Sequence, residues 1–311
     1  MNKLDRAFKK AYAEMPLAPN AAAEATSAPL VSKPMLSAAV AAIVPPEPTQ
    51  PAPSASPLSS FAERPKIHDV ASALLEVDHL AWPPACQSMQ VHAEKALSGL
   101  ADYLAERIGW GQKTIALASC RRAEGRTTVS LIMARLLAAR GLRPVVVDAD
   151  FENPRLARSC GIQDHTGWNE LLEGETALGE TLIAAVDERV TLMPWQGEPK
   201  SLRELTRCER VATNFNLLRD HYDIVLVDTM PLVDATEVQD FAGLAKAIGV
   251  DALYLVHDVR STSAETLAET WTQLRREAVH VEGIIENFAA AESGRVVRVE
   301  PSPVADKPFA A

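Results

Sequence analysis

Residues 114–141, TIALASCRRAEGRTTVSLIMARLLAARG, contain the successive patterns of a strand, a loop and a helix. The apolar run Thr114–Ala118 has the length of a strand, and the apolar residues from Val129 to Leu137 recur with the period of a helix. Gly141 then supplies a C-terminal cap. The intervening loop, residues 119–128, therefore stands where a phosphate-binding loop stands in such a unit.

This loop has the form of a phosphate-binding loop without its most diagnostic residue. Such a loop offers phosphate its backbone N–H groups and a helix N-terminus, adds a lysine to the β- and γ-phosphates, and places a Ser or Thr hydroxyl on Mg²⁺. Gly125, Thr127 and Thr128 fit these roles, whereas Arg126 occupies the lysine position and Ala123 stands where glycine is usual. On this stretch alone, an ordinary strand–loop–helix turn with basic residues is an equal alternative.

Two later strand patterns end in acidic residues. Val145–Val147 leads to Asp148 and Asp150, and Ile224–Val227 leads to Asp228. A buried parallel strand that ends in Asp brings a carboxylate to the ligand edge of a sheet. The alternative is that each acid caps a turn.

Further strand and helix patterns alternate around these motifs. They predict helices at 68–77, 85–108, 201–220, 237–248 and 263–278, a short helix and turn at 171–178, and strands at 190–193, 252–256 and 281–285. Alternation of this kind predicts the α/β class, with a mostly parallel sheet sandwiched by helices.

Composition limits the class of protein. The chain has 311 residues, 47% of them hydrophobic, and a formal net charge of −10. That size suits one α/β domain with tails, and the acidic balance argues against a nucleic-acid partner. The four cysteines lack metal-ligand spacing and are predicted to be reduced thiols. No apolar run reaches the length of a membrane span, so a cytoplasmic protein is expected.

The chain divides into four predicted segments. Residues 1–15 form a basic amphipathic helix, which could contact the inner face of a membrane, dock on a partner helix, or simply fray. Residues 16–66 hold 11 of the 21 prolines and are predicted to be a disordered linker. Residues 67–288 form the phosphate-loop domain, and residues 289–311 form a loose tail.

Three motifs within residues 85–288 resemble those of a known group. The first family motif ends like P-G-E-G-K-S/T, and the chain has RAEGRT at 122–127. The second is an apolar run with D-x-D-x-R, and the chain has VVVDAD at 145–150 with Glu152 in place of the arginine. The third is apolar residues with D-x-x-P, which the chain matches with VLVD and Pro231. Residues 167–178 and Asn287 add further likeness. The sequence thus resembles the deviant-Walker P-loop ATPases of the MinD/ParA type, and within them the CapB/CpsD-like cytoplasmic domain of bacterial tyrosine kinases that act in exopolysaccharide production.

The resemblance implies a site for ATP and Mg²⁺. Thr127 would ligate the metal and Asp228 would hold it through water, while Asp148 and Asp150 would orient the metal and activate the nucleophile. The implied site comprises the catalytic residues Asp148, Asp150, Asp228 and Arg126, the nucleotide-binding residues Arg122, Ala123, Glu124, Gly125, Arg126, Thr127, Thr128 and Asn287, and the metal ligands Thr127, Asp148 and Asp228.

Departures from the family pattern leave three functional hypotheses. Both lysine positions hold arginine, Arg121 and Arg126, and the last tyrosine is Tyr254, whereas the kinases end in a tyrosine cluster. The hypotheses are an active tyrosine autokinase or ATPase, a nucleotide-binding regulator of polysaccharide biosynthesis and export with weak or absent phosphoryl transfer, and a MinD/ParA-like positioning ATPase. Arg126 and the missing tyrosine cluster favour the second, whereas the retained acids Asp148, Asp150 and Asp228 keep the first open. The expected partner is a membrane-bound polysaccharide co-polymerase or a similar protein. The chain is also expected to form a homo-oligomer.

Overall fold

The computed structural model describes residues 71–197, 205–289 and 296–297. The predicted helix at 1–15 and linker at 16–66 lie outside the described residues. Within the described ranges, no helix has both the length and the apolar character required to cross a membrane.

Nine strands of the described chain form a single sheet. They are β1 (Leu75–Val77), β2 (Thr114–Ser119), β3 (Pro144–Ala149), β4 (Ile183–Ala185), β5 (Val190–Met193), β6 (Ile224–Pro231), β7 (Ala252–Asp258), β8 (Val281–Asn287) and β9 (Val296–Val297). Their order is β1-β4-β5-β3-β6-β2-β7-β8-β9. All neighbouring pairs are parallel except β4 with β5 and β8 with β9.

Helices cover both faces of this sheet. They are α1 (Pro84–Gly109), α2 (Arg126–Ala139), α3 (Leu156–Ser159), α4 (Trp168–Glu173), α5 (Glu209–His221), α6 (Ala235–Ile248) and α7 (Ala264–Arg276), with a 3-10 turn at Leu178–Thr181. Apolar residues of α1 and α2 pack on one face, and those of α5, α6 and α7 pack on the other. The central strands are buried throughout, as expected for a parallel sheet between two helical layers. The predicted α/β class is confirmed.

The local predictions fail mainly at the edges of the sheet. The predicted helix at 68–77 is wrong for residues 75–77, because Leu75–Val77 is a strand that pairs in parallel with Ile183–Ala185. That partner strand was not predicted either, because three residues are too few to show a period. It pairs with β1 and, antiparallel, with the nearby β5. At the other edge, Val296–Val297 lies inside the predicted loose tail and pairs antiparallel with β8.

Two helical predictions need adjustment. Within the helix predicted at 201–220, residues 205–206 are helical, Cys208 is extended, and a further helix spans Glu209–His221; residues 201–204 lie outside the described chain. The short helix predicted at 171–178 spans Trp168–Glu173 and ends at Gly174, which has a left-handed backbone conformation.

The strand order sets the position of the candidate site. β2 lies between β6 and β7, with β3 beyond β6 and β8 beyond β7. Because these five strands are parallel, their carboxyl ends meet at one edge of the sheet. The loop after β2 and the acids after β3 and β6 therefore converge there.

Candidate functional site

The loop between β2 and α2 has the backbone of an anion-binding turn. Ala123 and Gly125 both have left-handed φ angles, of 65° and 97°. Gly125 is the residue that precedes α2. A Cβ atom at Gly125 would lie 2.2 Å from Nδ2 of Asn287, so a larger residue would displace that amide in addition to straining the backbone. The loop thus presents the start of α2 to the edge of the sheet.

Arg126, at the lysine position, is drawn into the protein. Its residue is 7% exposed, and its guanidinium donates from Nη1 to Oγ of Ser119 at 2.7 Å and from Nη2 to Oδ2 of Asp150 at 3.2 Å. Burial lowers the pKa of this arginine, while Asp228 and Asp150 oppose the shift. The side chain that would clamp a phosphate is therefore already paired with a carboxylate.

Two departures from the family motifs contact each other. Arg122, which stands at a family proline, donates to Glu152, which stands at the family arginine. A second nitrogen of Arg122 lies 3.4 Å from Oδ2 of Asp150. Burial raises the pKa of Asp150, and the two arginines, Arg126 first, oppose that rise. The loop and the end of β3 are thus joined by a chain of ion pairs.

Thr127 and Asp228 form the pair expected at a divalent metal. The Thr127 hydroxyl donates to Oδ2 of Asp228 at 2.5 Å, while the buried Oδ1 of Asp228 has no hydrogen-bond partner. Burial raises the pKa of Asp228 to about 6. A hydroxyl beside a carboxylate with an unused oxygen fits the oxygen-ligand preference of Mg²⁺. These two residues therefore fit the metal that P-loop proteins use.

Asp148 is occupied by backbone groups. Its carboxylate accepts from the N–H of Leu156 at 2.9 Å and from the N–H of Asp150 at 3.2 Å. Burial, followed by the nearby Asp228, raises the pKa of Asp148 to about 8. Asp148 and Asp228 are register partners on β3 and β6, so the predicted acids do meet. The predicted metal and catalytic roles of Asp148 stay predictions.

Glu124 connects the loop to the far side of the sheet. This residue is 1% exposed, and it accepts from the N–H of Arg121 at 2.9 Å, from the N–H of Asp258 at 3.3 Å and from the hydroxyl of Thr262. The carbonyl of Glu124 accepts from Nδ2 of Asn287 at 2.9 Å. Both Glu124 and Asn287 thus hold the loop in position. For Asn287, this contact was not foreseen, because the resemblance implied a contact with the nucleobase.

Several site residues were not identified by sequence reasoning. Ser119 lies inside the quoted loop but received no role, and nothing in its pattern announces a bond to Arg126. Asp258 does carry a usable signal, since it ends an apolar strand in the same way as Asp148 and Asp228. Thr128, which was predicted to bind phosphate, lies in the first turn of α2 with its carbonyl 3.9 Å from Sγ of Cys86.

No model of a known protein family matches the chain. Its sequence is 25% identical over 134 residues to CapB of Staphylococcus aureus, described as a candidate tyrosine-protein kinase, covering 43% of this chain and 59% of CapB. It is 28% identical over 182 residues to the succinoglycan biosynthesis transport protein ExoP of Rhizobium meliloti, covering 58% of this chain and 22% of ExoP. The chain thus matches only part of the length of these relatives.

Solved structures show the same fold. The kinase domain of VpsO superposes with a TM-score of 0.55 at 24% identity, over 65% of this chain and 97% of that domain. The kinase domain of the Escherichia coli tyrosine kinase ETK superposes with a TM-score of 0.51 at 21% identity, over 63% of this chain and 72% of that chain. In sequence and in fold, the chain therefore resembles the P-loop kinase domains of bacterial tyrosine kinases. Its relatives include ExoP, a protein named for the biosynthesis of an exopolysaccharide.

Proposed function

We propose that this chain binds ATP with Mg²⁺, that its phosphoryl transfer is weak or absent, and that it acts as a regulator of polysaccharide biosynthesis and export. The observation that carries the proposal is the pairing of Arg126 with Asp150 and Ser119. A guanidinium engaged in this way is poorly placed to stabilise the charge that develops on a transferred phosphoryl group. Its planar fork also cannot reproduce the point charge of a lysine ammonium.

The remaining parts of the loop support binding. Backbone N–H groups of residues 123–128 and the N-terminus of α2 would hold the phosphates. Thr127 and Asp228 would hold Mg²⁺, which neutralises phosphate charge when it is bound. Arg126 donates to the carboxylate of Asp150 at the same edge of the sheet. To contact a bound phosphate, Arg126 would have to release Asp150 and donate to a phosphate oxygen instead. Each oxygen of Asp148 already accepts a backbone N–H, so the metal assignment rests on Thr127 and Asp228, and the predicted metal role of Asp148 stays a prediction.

The tyrosines of the described chain give little support to an active autokinase. Tyr222 and Tyr254 are 5% and 1% exposed. Tyr103 donates its hydroxyl to Glu282. None of these three presents an exposed phenol to a second copy of the chain. This observation favours the regulatory function over self-phosphorylation at the described positions.

The test is calorimetric binding of Mg·ATP to the full chain, with hydrolysis measured in parallel for the wild type and for Arg126→Lys. We expect the wild type to bind ATP and to turn over at background rate, and the lysine variant to gain turnover. Wild-type turnover above that of Arg126→Lys would overturn the weak-catalysis proposal. A failure of the wild type to bind would overturn the nucleotide proposal altogether.

The proposed partner is a membrane-bound polysaccharide co-polymerase. Residues 1–15 would bring the chain to the cytoplasmic face of the membrane, where this partner lies. The chain is also proposed to form homo-oligomers. The support is the resemblance to ExoP together with the basic amphipathic pattern of those residues. Co-sedimentation with anionic vesicles should be lost when residues 1–15 are deleted. Equal sedimentation of the shortened chain would contradict the membrane contact.

A further inference from the structure

One carboxylate oxygen accepts from two guanidinium groups beside the phosphate loop. Oδ2 of Asp150 lies 3.2 Å from Nη2 of Arg126 and 3.4 Å from Nη1 of Arg122. The other oxygen of this carboxylate, Oδ1, is buried and has no hydrogen-bond partner among the described residues. The two arginines therefore supply the positive charge next to a carboxylate that is largely withdrawn from water.

These two arginines differ in their exposure to solvent. The side chain of Arg126 is 8% exposed and also donates to Oγ of Ser119. The side chain of Arg122 is 43% exposed, and its second nitrogen donates to Glu152, which is itself 57% exposed. Asp150 thus has one cation on the protein side and another on the solvent side. Arg126, Asp150, Arg122 and Glu152 are called the ion-pair chain below.

Three members of the ion-pair chain are departures from the family motifs. Arg126 replaces a lysine, Arg122 replaces a proline and Glu152 replaces an arginine. In the structure these three residues are linked to one another, directly or through Asp150. The chain contains two formal positive and two formal negative charges, so it is neutral as a set. The three departures therefore belong to one arrangement and should be interpreted together.

The arrangement bears on the way in which Arg126 can reach a phosphate. Arg126 is the first residue of α2, where a phosphate would bind, but it has to release Asp150 before it can donate to a phosphate oxygen. A buried carboxylate that loses its only counter-ion is strongly destabilised. Burial raises the pKa of Asp150, and the two arginines oppose that rise. A second cation on Asp150 would therefore make the release of Arg126 much easier.

We infer that Arg122 is a positioning residue for nucleotide binding, which stays on Asp150 when Arg126 turns to the phosphate and so keeps the carboxylate compensated. Arg122 acts through Asp150 and Arg126 and does not contact the phosphate itself. Glu152 shares the guanidinium of Arg122 and weakens its hold on Asp150. This inference rests on the proposed nucleotide function and adds the residues that set the affinity.

The test is a double-mutant cycle on the full chain, with the affinity for Mg·ATP measured by calorimetry. Arg122→Gln should weaken binding about tenfold, because a hydrogen bond to a charged group contributes an effect of that order. In the Asp150→Asn background the same substitution should change the affinity by less than about twofold, since no carboxylate is left to compensate. Arg122→Lys should stay within about threefold of the wild type, because the contact with Asp150 is a single hydrogen bond and not a bidentate pair.

Glu152→Gln is a second variant, and it poses little risk to folding because Glu152 is exposed. It should strengthen Mg·ATP binding about threefold, which is within the range of an exposed ion pair. In the Arg122→Gln background it should have no effect, since Glu152 acts through Arg122. An equal gain in both backgrounds would mean that Glu152 simply repels the nucleotide, and this would contradict its place in the inference.

Arg140→Gln is the matched control, because it removes the same charge from an ion pair with Asp102 at the far end of α2. It should leave the affinity for Mg·ATP unchanged. An undiminished loss on Arg122→Gln in the Asp150→Asn background would indicate a direct phosphate contact and overturn the inference. Unchanged binding in Arg122→Gln, or no binding in Asp150→Asn, would overturn it as well. These outcomes leave the proposed function intact, whereas a wild type that does not bind Mg·ATP would refute both.

Discussion

The hydroxyl of Thr127 donates a 2.5 Å hydrogen bond to Oδ2 of Asp228, and this bond joins the first turn of α2 to the end of β6. Asp228 is 2% exposed and its other oxygen has no partner. The threonine therefore satisfies a buried carboxylate, in addition to its proposed role at the metal.

Thr127→Val should destabilise the protein in the absence of nucleotide. Loss of the hydroxyl leaves a buried carboxylate without a donor, which costs about 1–3 kcal/mol. Urea denaturation at pH 7 measures this change, and Thr127→Ser, which keeps the hydroxyl, serves as the control. Equal midpoints for the valine variant and the wild type would show that water satisfies Asp228 instead.

Gly125→Ala should be more destabilising than Asn287→Ala. The glycine variant incurs roughly 1–2 kcal/mol for a left-handed alanine and also displaces Nδ2 of Asn287. Asn287→Ala loses the bond to the Glu124 carbonyl, at about 1 kcal/mol, without backbone strain. Thermal unfolding of the two variants measures the difference. An order of stability opposite to this one would mean that the loop can adopt another conformation.

Glu124→Gln should loosen the loop. Glu124 accepts three hydrogen bonds, from Arg121, Asp258 and Thr262. An amide group would turn a donor towards at least one of these donors, at a cost of about 1–3 kcal/mol. Hydrogen exchange at the Arg121 and Asp258 amides should accelerate.

The exposed Glu106→Gln is the control for this substitution, and its effect on stability should stay within about 0.5 kcal/mol. Protection of the Arg121 amide in Glu124→Gln equal to that in the wild type would refute the bracing role.

The ion pair of Asp258 with Arg260 should make stability depend on pH. Hydrogen bonds from Arg260 hold the pKa of Asp258 below its usual value, and Glu124 is the other ionisable side chain bonded to this residue, through its N–H. A depressed pKa stabilises the fold above the unfolded value of about 3.9 and loses that effect as the pH falls through the folded pKa. The stability difference between the wild type and Asp258→Asn should therefore be constant near neutrality and shrink below about pH 4. Urea titrations from neutral to acidic pH test this, and a difference that does not shrink would show that the effect of the substitution is not ionic.

The sequence predicted the centre of the fold better than its edges. β2, β3 and β6 are buried on both faces, so their apolar runs and terminal acids are strong local signals. By contrast, the edge strand at 75–77 contains only three residues and pairs with the equally short strand at 183–185, which lies between it and β5. The partner of residues 75–77 lies more than a hundred residues away, so no local pattern reveals that edge strand.

In the candidate site, too, some features could be predicted from the sequence and others could not. The motifs brought Arg126, Thr127, Asp150 and Asp228 to one edge, as predicted, because parallel strands align their carboxyl ends. The direction taken by Arg126 could not be predicted, since an arginine side chain has many rotamers and the buried Ser119 and Asp150 together select one of them. The contact between Arg122 and Glu152 was equally hidden, because each residue alone is merely a mismatch to a motif.

The bond from Asn287 to the carbonyl of Glu124 spans 163 residues of sequence. During synthesis, the loop leaves the ribosome long before its support does, and at 5–20 residues per second the interval is roughly 10–30 s. Throughout that time the nascent chain lacks the strand that holds the loop in shape. The loop therefore gains this bond, which joins it to β8, only once the chain has been made through Asn287.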